Sequence, residues 1–174
     1  QQVWVQPQAG ALLRPVPMTQ FNSGKGTVLL YPVYLWIPVP GATKYEVEIL
    51  DAPPENPDGV EPSAHRVDAF TDTGFDAYDP HPRYGSKPFY WRVRGVTDSG
   101  KPVGVYSAAQ KFITDPAANY QVATLGDSIC HGGGSFSYAP SEWEFSFQHY
   151  LNFPTLNLGR SGDTAAMTLA RRHF

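Results

Sequence analysis

The 174-residue chain has a single cysteine, Cys130, so it can form no internal disulfide and no multi-cysteine metal site. Apolar runs are short, and none approaches the ~18 residues that a membrane-spanning helix needs. Charge is also scarce. Charged side chains make up 17% of the residues, the formal net charge is −3, and no block of like charge occurs, which argues against a nucleic-acid partner. No internal repeat recurs at a fixed period. What the chain has in abundance is 17 prolines, 16 glycines and 14% aromatic residues, the vocabulary of short strands joined by turns. It begins with Gln1 rather than methionine, which raises the expectation that a leader has been removed or that the sequence starts late.

The character of the sequence changes near residue 115. Before it, the runs GTVLLYPVYLWIPV, KYEVEIL, HRVDAF, FYWRVRGV and QKFIT alternate with separators rich in proline, glycine and aspartate. Tyr45, Val47 and Ile49 alternate with Glu46 and Glu48, and Trp91 and Val93 alternate with Arg92 and Arg94. Period-two patterns of this kind predict half-buried strands of an antiparallel sheet. The stretch Asp98 to Lys101, DSGK, predicts a hairpin tip, and the first ~20 residues an edge strand or a segment wrapped along the module. DPAAN, residues 115–119, reads as a linker. Beyond it the order becomes strand (YQVATL), helix (PSEWEFSFQHYLN, with Ser141 as N-cap and Glu144 completing a capping box), strand (FPTLNLG) and helix (DTAAMTLARRHF, capped by Asp163). That alternation predicts a parallel sheet with a right-handed crossover.

The chemistry concentrates in TLGDSICHGGG. Ser128 follows a strand and is surrounded by glycines, a setting that suits a turn-former or a nucleophile. The nucleophile elbow G-x-S-x-G is absent, because Cys130 stands where its second glycine would be. GGGSFS lacks the lysine of a phosphate loop. His131 to Gly134, HGGG, follows the serine instead of preceding it, unlike the oxyanion loop of lipases.

Two resemblances organise these observations. Trp36 followed by PVPGATKYEVEIL, then FYWRVRGVTDSG and VYSAAQKF, resembles a fibronectin type III-like β-sandwich, in which Trp36 and Tyr45 would be core residues. GDSI at 126–129 and NLGRSGDT at 157–164, each after a strand and about 30 residues apart, resemble the first blocks of the SGNH (GDSL-type) hydrolases. The implied architecture is two domains. An all-β sandwich would span 1–114, and the first β-α-β-α part of an α/β flavodoxin-like hydrolase domain, incomplete, would span 120–174.

The resemblance implies a serine ester hydrolase working through an acyl-enzyme, in the manner of a carbohydrate O-deacetylase. Ser128 would be nucleophile and oxyanion N–H donor, Gly159 a second oxyanion donor, and Asp127 a support for the loop. One such donor is worth roughly 3 kcal/mol of barrier. The chemistry requires no metal or organic cofactor. A small ester or acylated carbohydrate would be the substrate, and family analogy implies a secreted or periplasmic bacterial setting.

The family's later Gly-x-Asn-Asp block and its Asp-x-x-His pair are missing, and none of the five histidines has an aspartate three residues before it. A serine without a base is a poor nucleophile at neutral pH. The sequence therefore reads as a fragment, to be completed by a second segment or chain that brings the base and covers the sheet. The competing reading is a non-catalytic carbohydrate- or protein-binding sandwich with a truncated appendage.

Overall fold

The computed structural model describes residues 11–18, 28–114, 119–131 and 147–173. Tertiary contacts divide the chain into two interleaved compact units. One comprises Gln1–Pro17, Trp36–Phe75 and Tyr90–Gln110, and the other Met18–Leu35, Asp76–Phe89 and Lys111–Phe174.

In the first unit, β4 (Lys44–Leu50) pairs antiparallel with β5 (Arg66–Asp72) on one side and with β7 (Phe89–Val96) on the other. β8 (Pro102–Val103) extends the path beyond β7, and β1 (Val16–Pro17) pairs with the end of β3 (Val33–Ile37). Asp98 and Ser99 form the turn between β7 and β8, closed by Gly100 N–H to Thr97 O at 2.8 Å and Thr97 N–H to Lys101 O at 2.9 Å. Gly100 has a φ of +80°, which its lack of a Cβ permits without strain. One face of the sheet is apolar: Val47, Ile49, Trp91 and Val93 are fully buried. Each such side chain contributes about 1.5–3 kcal/mol of transfer free energy. Trp36 and Tyr45 are both buried with ring centroids 5.3 Å apart, and the Tyr45 hydroxyl is bonded to the Val39 backbone.

The opposite face departs from the alternation rule. Glu48 and Arg92 are fully buried and Arg94 nearly so, although period two puts them on the polar side. The separator 51–65 is the cover. Arg92 donates to Asn56 O and Asn56 Oδ1, both at 2.9 Å, and Arg94 donates to Val60 O. Beneath that loop Glu48 takes Arg92 Nε at 2.5 Å and Arg66 Nε at 2.6 Å, while Glu46 takes Arg66 Nη2 at 2.8 Å. The Tyr106 ring lies under the Arg92 guanidinium at 4.0 Å, and its hydroxyl bonds to Glu46. Burial, with the neighbouring carboxylates, pushes the Tyr106 phenol far above its ordinary range. A buried charge persists only when paired and hydrogen-bonded, and here every carboxylate meets a guanidinium.

In the second unit, β3 pairs antiparallel with β6 (Asp76–Tyr78), and Asp79 holds Arg83 in a two-pronged ion pair at 2.8 and 3.0 Å. A separate three-stranded sheet runs in the order β10 (Val122–Thr124), β11 (Thr155–Asn157), β2 (Val28–Leu29), with both pairings parallel. Leu30, Tyr31, Leu156 and Leu158 form its core, with Tyr120 packed against them. β9 (Gln110–Phe112) brings Phe112 against Tyr34 and Phe89.

This organisation corrects the expected fold class, in which residues 120–174 would begin an α/β flavodoxin-like domain. The described residues are mostly β, 33% strand against 10% helix, and no flavodoxin-like part is present among them. β10, β11 and β2 do run parallel, but the helical layers that an α/β sheet requires are not present among the described residues. Helix α1 is four residues long (Ser128–His131), and α2 (Ala165–Ala170) is six residues long and buries none of them. Of the helix expected over 140–152, residues 140–146 lie outside the described residues, and Phe147–Tyr150 form a 3-10 turn. The predicted cap of α2 also shifts. Thr164, not Asp163, is its N-cap, receiving Met167 N–H at 3.3 Å on its hydroxyl. Asp163 has been drawn into an ion pair with Arg171 instead.

Candidate active site

The site grows from the ends of the parallel strands. β10 stops at Thr124, and the chain turns through Leu125 and Gly126 into α1. Asp127 starts that turn. Its carboxylate accepts Ile129 N–H at 3.0 Å, and its carbonyl accepts His131 N–H at 2.8 Å. An Asp before the first helical residue satisfies one of the otherwise orphaned N–H groups. Ser128 is thereby fixed as the first residue of the turn, half-buried. Neither its N–H nor its hydroxyl has a hydrogen-bond partner among the described residues.

The neighbouring strand end is knitted to this turn. Leu158 N–H donates to Thr124 O at 2.7 Å and Arg160 N–H to Gly126 O at 3.0 Å, continuing the contact past the strands themselves. Asn157, fully buried at the end of β11, donates through Nδ2 to His131 O at 2.9 Å and accepts Gly159 N–H on Oδ1 at 2.9 Å. The Gly159 N–H is therefore committed to Asn157. Its glycine identity has a packing reason: a Cβ at this position would lie 2.3 Å from the backbone nitrogen of His131. Gln148, also buried, braces the same turn by donating to Cys130 O at 2.6 Å and Thr124 Oγ1 at 3.0 Å.

His131 is the histidine nearest to Ser128 in sequence, and it is buried. Its Nε2 lies 2.7 Å from Tyr31 O. A carbonyl can only accept, so Nε2 carries the proton and Nδ1 is the bare nitrogen, without a partner among the described residues. Burial, aided by the nearby Arg171 charge, pushes the imidazole pKa below its ordinary value, against the opposing bond to Tyr31. The ring is neutral and committed elsewhere, and no described imidazole is hydrogen-bonded to Ser128. Cys130 is no better a nucleophile. Burial, with the Asp127 charge, raises its thiol pKa and keeps it protonated.

A cleft of about 610 Å3 opens beside the turn. Gly126, Asp127, Ile129 and Cys130 wall it on one side, and Thr164 and Thr168 of α2 on the other. Ser128 stands between two of these wall residues but is not itself one of them. Ile129 is 80% exposed, so an apolar side chain sits at the cleft with little cover among the described residues. Three residues absent from the sequence reading, Asn157 (as a side chain), Gln148 and Arg171, do most of the bracing. Only Asn157 carries a signal in the sequence, as the first residue of NLGRSGDT, two places before Gly159.

No protein-family model matches this chain, and no curated protein matches it.

Proposed function

We propose that the protein is a serine ester hydrolase in which Ser128 attacks the ester carbonyl. The observation that carries this reading is the way Asp127 caps the turn while the N–H and the Oγ of Ser128 have no partner among the described residues, with Asp127 and Ile129 on either side of it walling the cleft. A nucleophile and one oxyanion donor are then offered by the same residue, the pairing that acyl transfer needs. The order of GDSI and NLGRSGDT, and its likeness to SGNH hydrolases, supports the same chemistry independently of the overall fold.

In the reaction, Ser128 Oγ would add to the carbonyl carbon as its proton passes to a general base that is not among the described residues. The oxyanion would be met by Ser128 N–H, and collapse would expel the alcohol and leave the acyl group on Oγ. Water, activated by the same base, would then release the acid. The Gly159 N–H could act as a second donor only by exchanging Asn157 Oδ1 for the oxyanion. A small ester or an acylated carbohydrate is the substrate class, with the alcohol portion lying in the cleft between α1 and α2.

Turnover of p-nitrophenyl acetate by the full-length protein and by Ser128→Ala tests the reading. A loss of about a thousandfold or more is expected. Equal rates would refute it.

A further inference from the structure

We propose that Arg171 is a positioning residue for the hydrolytic reaction, holding the Ser128 loop and the Gly159 loop at a fixed separation; the assignment rests on the ester-hydrolase reading above. Its guanidinium makes three directed bonds. Nη2 donates to Gly126 O at 2.8 Å, Nη1 donates to Leu158 O, and Nε donates to Asp163 Oδ2 at 2.6 Å. The two carbonyls belong to the residue two places before Ser128 and the residue immediately before Gly159. They lie past the last paired residues of β10 and β11, where two backbone bonds, Leu158 N–H to Thr124 O and Arg160 N–H to Gly126 O, carry the contact on and the guanidinium ties their two sides together. One rigid, planar group therefore bridges the two loops where strand pairing ends.

The arrangement is built rather than incidental. Asp163, its carboxylate 2% exposed, anchors the guanidinium from the loop before α2, and the Arg171 side chain is only 11% exposed. The guanidinium also faces the Tyr31 ring at 5.1 Å, the residue whose carbonyl holds His131. A planar fork can serve two carbonyls and a carboxylate at once, whereas an ammonium is a single point of charge. An error of about 1 Å in the placement of reacting groups costs on the order of a hundredfold in rate. Loss of the fork should therefore act on the chemical step and leave substrate binding alone.

The experiment compares wild type, Arg171→Gln, Arg171→Lys and Ser128→Ala on p-nitrophenyl acetate, below the melting temperature of each as followed by circular dichroism. The expected result is a fall in kcat of about 10- to 100-fold in both Arg171 variants with KM changed less than about twofold. Because the lysine variant retains the charge, it provides a folded comparison if the glutamine variant fails to fold. A kcat within about twofold of wild type in the folded variants, or a change confined to KM, would overturn the positioning role while Ser128→Ala remained inactive. Turnover unaffected by Ser128→Ala would overturn the hydrolase reading and this assignment with it.

Discussion

The sheet around β4 and the sheet around β11 solve the problem of burying polar groups in opposite ways. β4 is seven residues long and paired along its length on both sides. Its buried charges neutralise one another, side chain against side chain, under a loop. β10 and β11 have only three residues each. There the polar side chains Asn157, Gln148 and Arg171 bond chiefly to backbone carbonyls and fix where loops go. A long ladder needs no help to hold its register. Short strand ends do, and the candidate nucleophile stands on one of them.

Removing one partner from the β4–β7 charge network should give the largest loss of stability. Glu48→Ala leaves Arg92 buried without its carboxylate and should cost about 3–5 kcal/mol in denaturant unfolding. The paired change Glu48→Met with Arg92→Met should cost much less. If the double variant is as unstable as the single one, the network is not a self-neutralising set.

Next comes Gly159→Ala. The new methyl meets the His131 backbone rather than a flexible side chain, so a loss of about 1–3 kcal/mol is expected, as in other overpacked sites. Stability equal to wild type would show that the two loops can separate easily.

His131 offers a pH test of the same region. Its native pKa is depressed, so the unfolded chain binds this proton more readily than the folded one. Its contribution is fully present above the ordinary value of 6.5 and is lost as pH falls from there toward the depressed native value. The melting temperature should decline over that window, and His131→Gln should flatten part of the decline. Among the described residues, the ring meets Tyr31, Tyr78 and Arg171, none of which is a carboxylate that could compensate an imidazolium.

The smallest effect belongs to α2. Thr164→Ala removes an N-cap bond from a helix with no buried residues and should cost about 1 kcal/mol or less.

The apolar face of β4 and β7 was legible in the sequence because period two reports directly on burial, and Tyr45, Val47, Ile49, Trp91 and Val93 all lie inside. The polar face was not. Alternation says which residues share a side but nothing about what covers it, and the cover came from a Pro- and Asp-rich stretch with the composition of a solvent turn. At the candidate site, the position of Ser128 after a strand could be read from GDSI. The reason for Gly159 could not, because it lies in the close approach of His131, 28 residues earlier in the chain. Nor could the identity of the α2 cap: Asp163 and Thr164 are both good N-cap residues, and a distant Arg171 decided between them.

Whether Ser128 is an activated nucleophile is tested most directly by covalent labelling. The full-length protein is treated with a fluorophosphonate, digested, and the adduct located by mass spectrometry. The account predicts a single phosphonylated residue, Ser128, and no labelling after thermal unfolding. Labelling at another residue, or none on the folded protein, would contradict it.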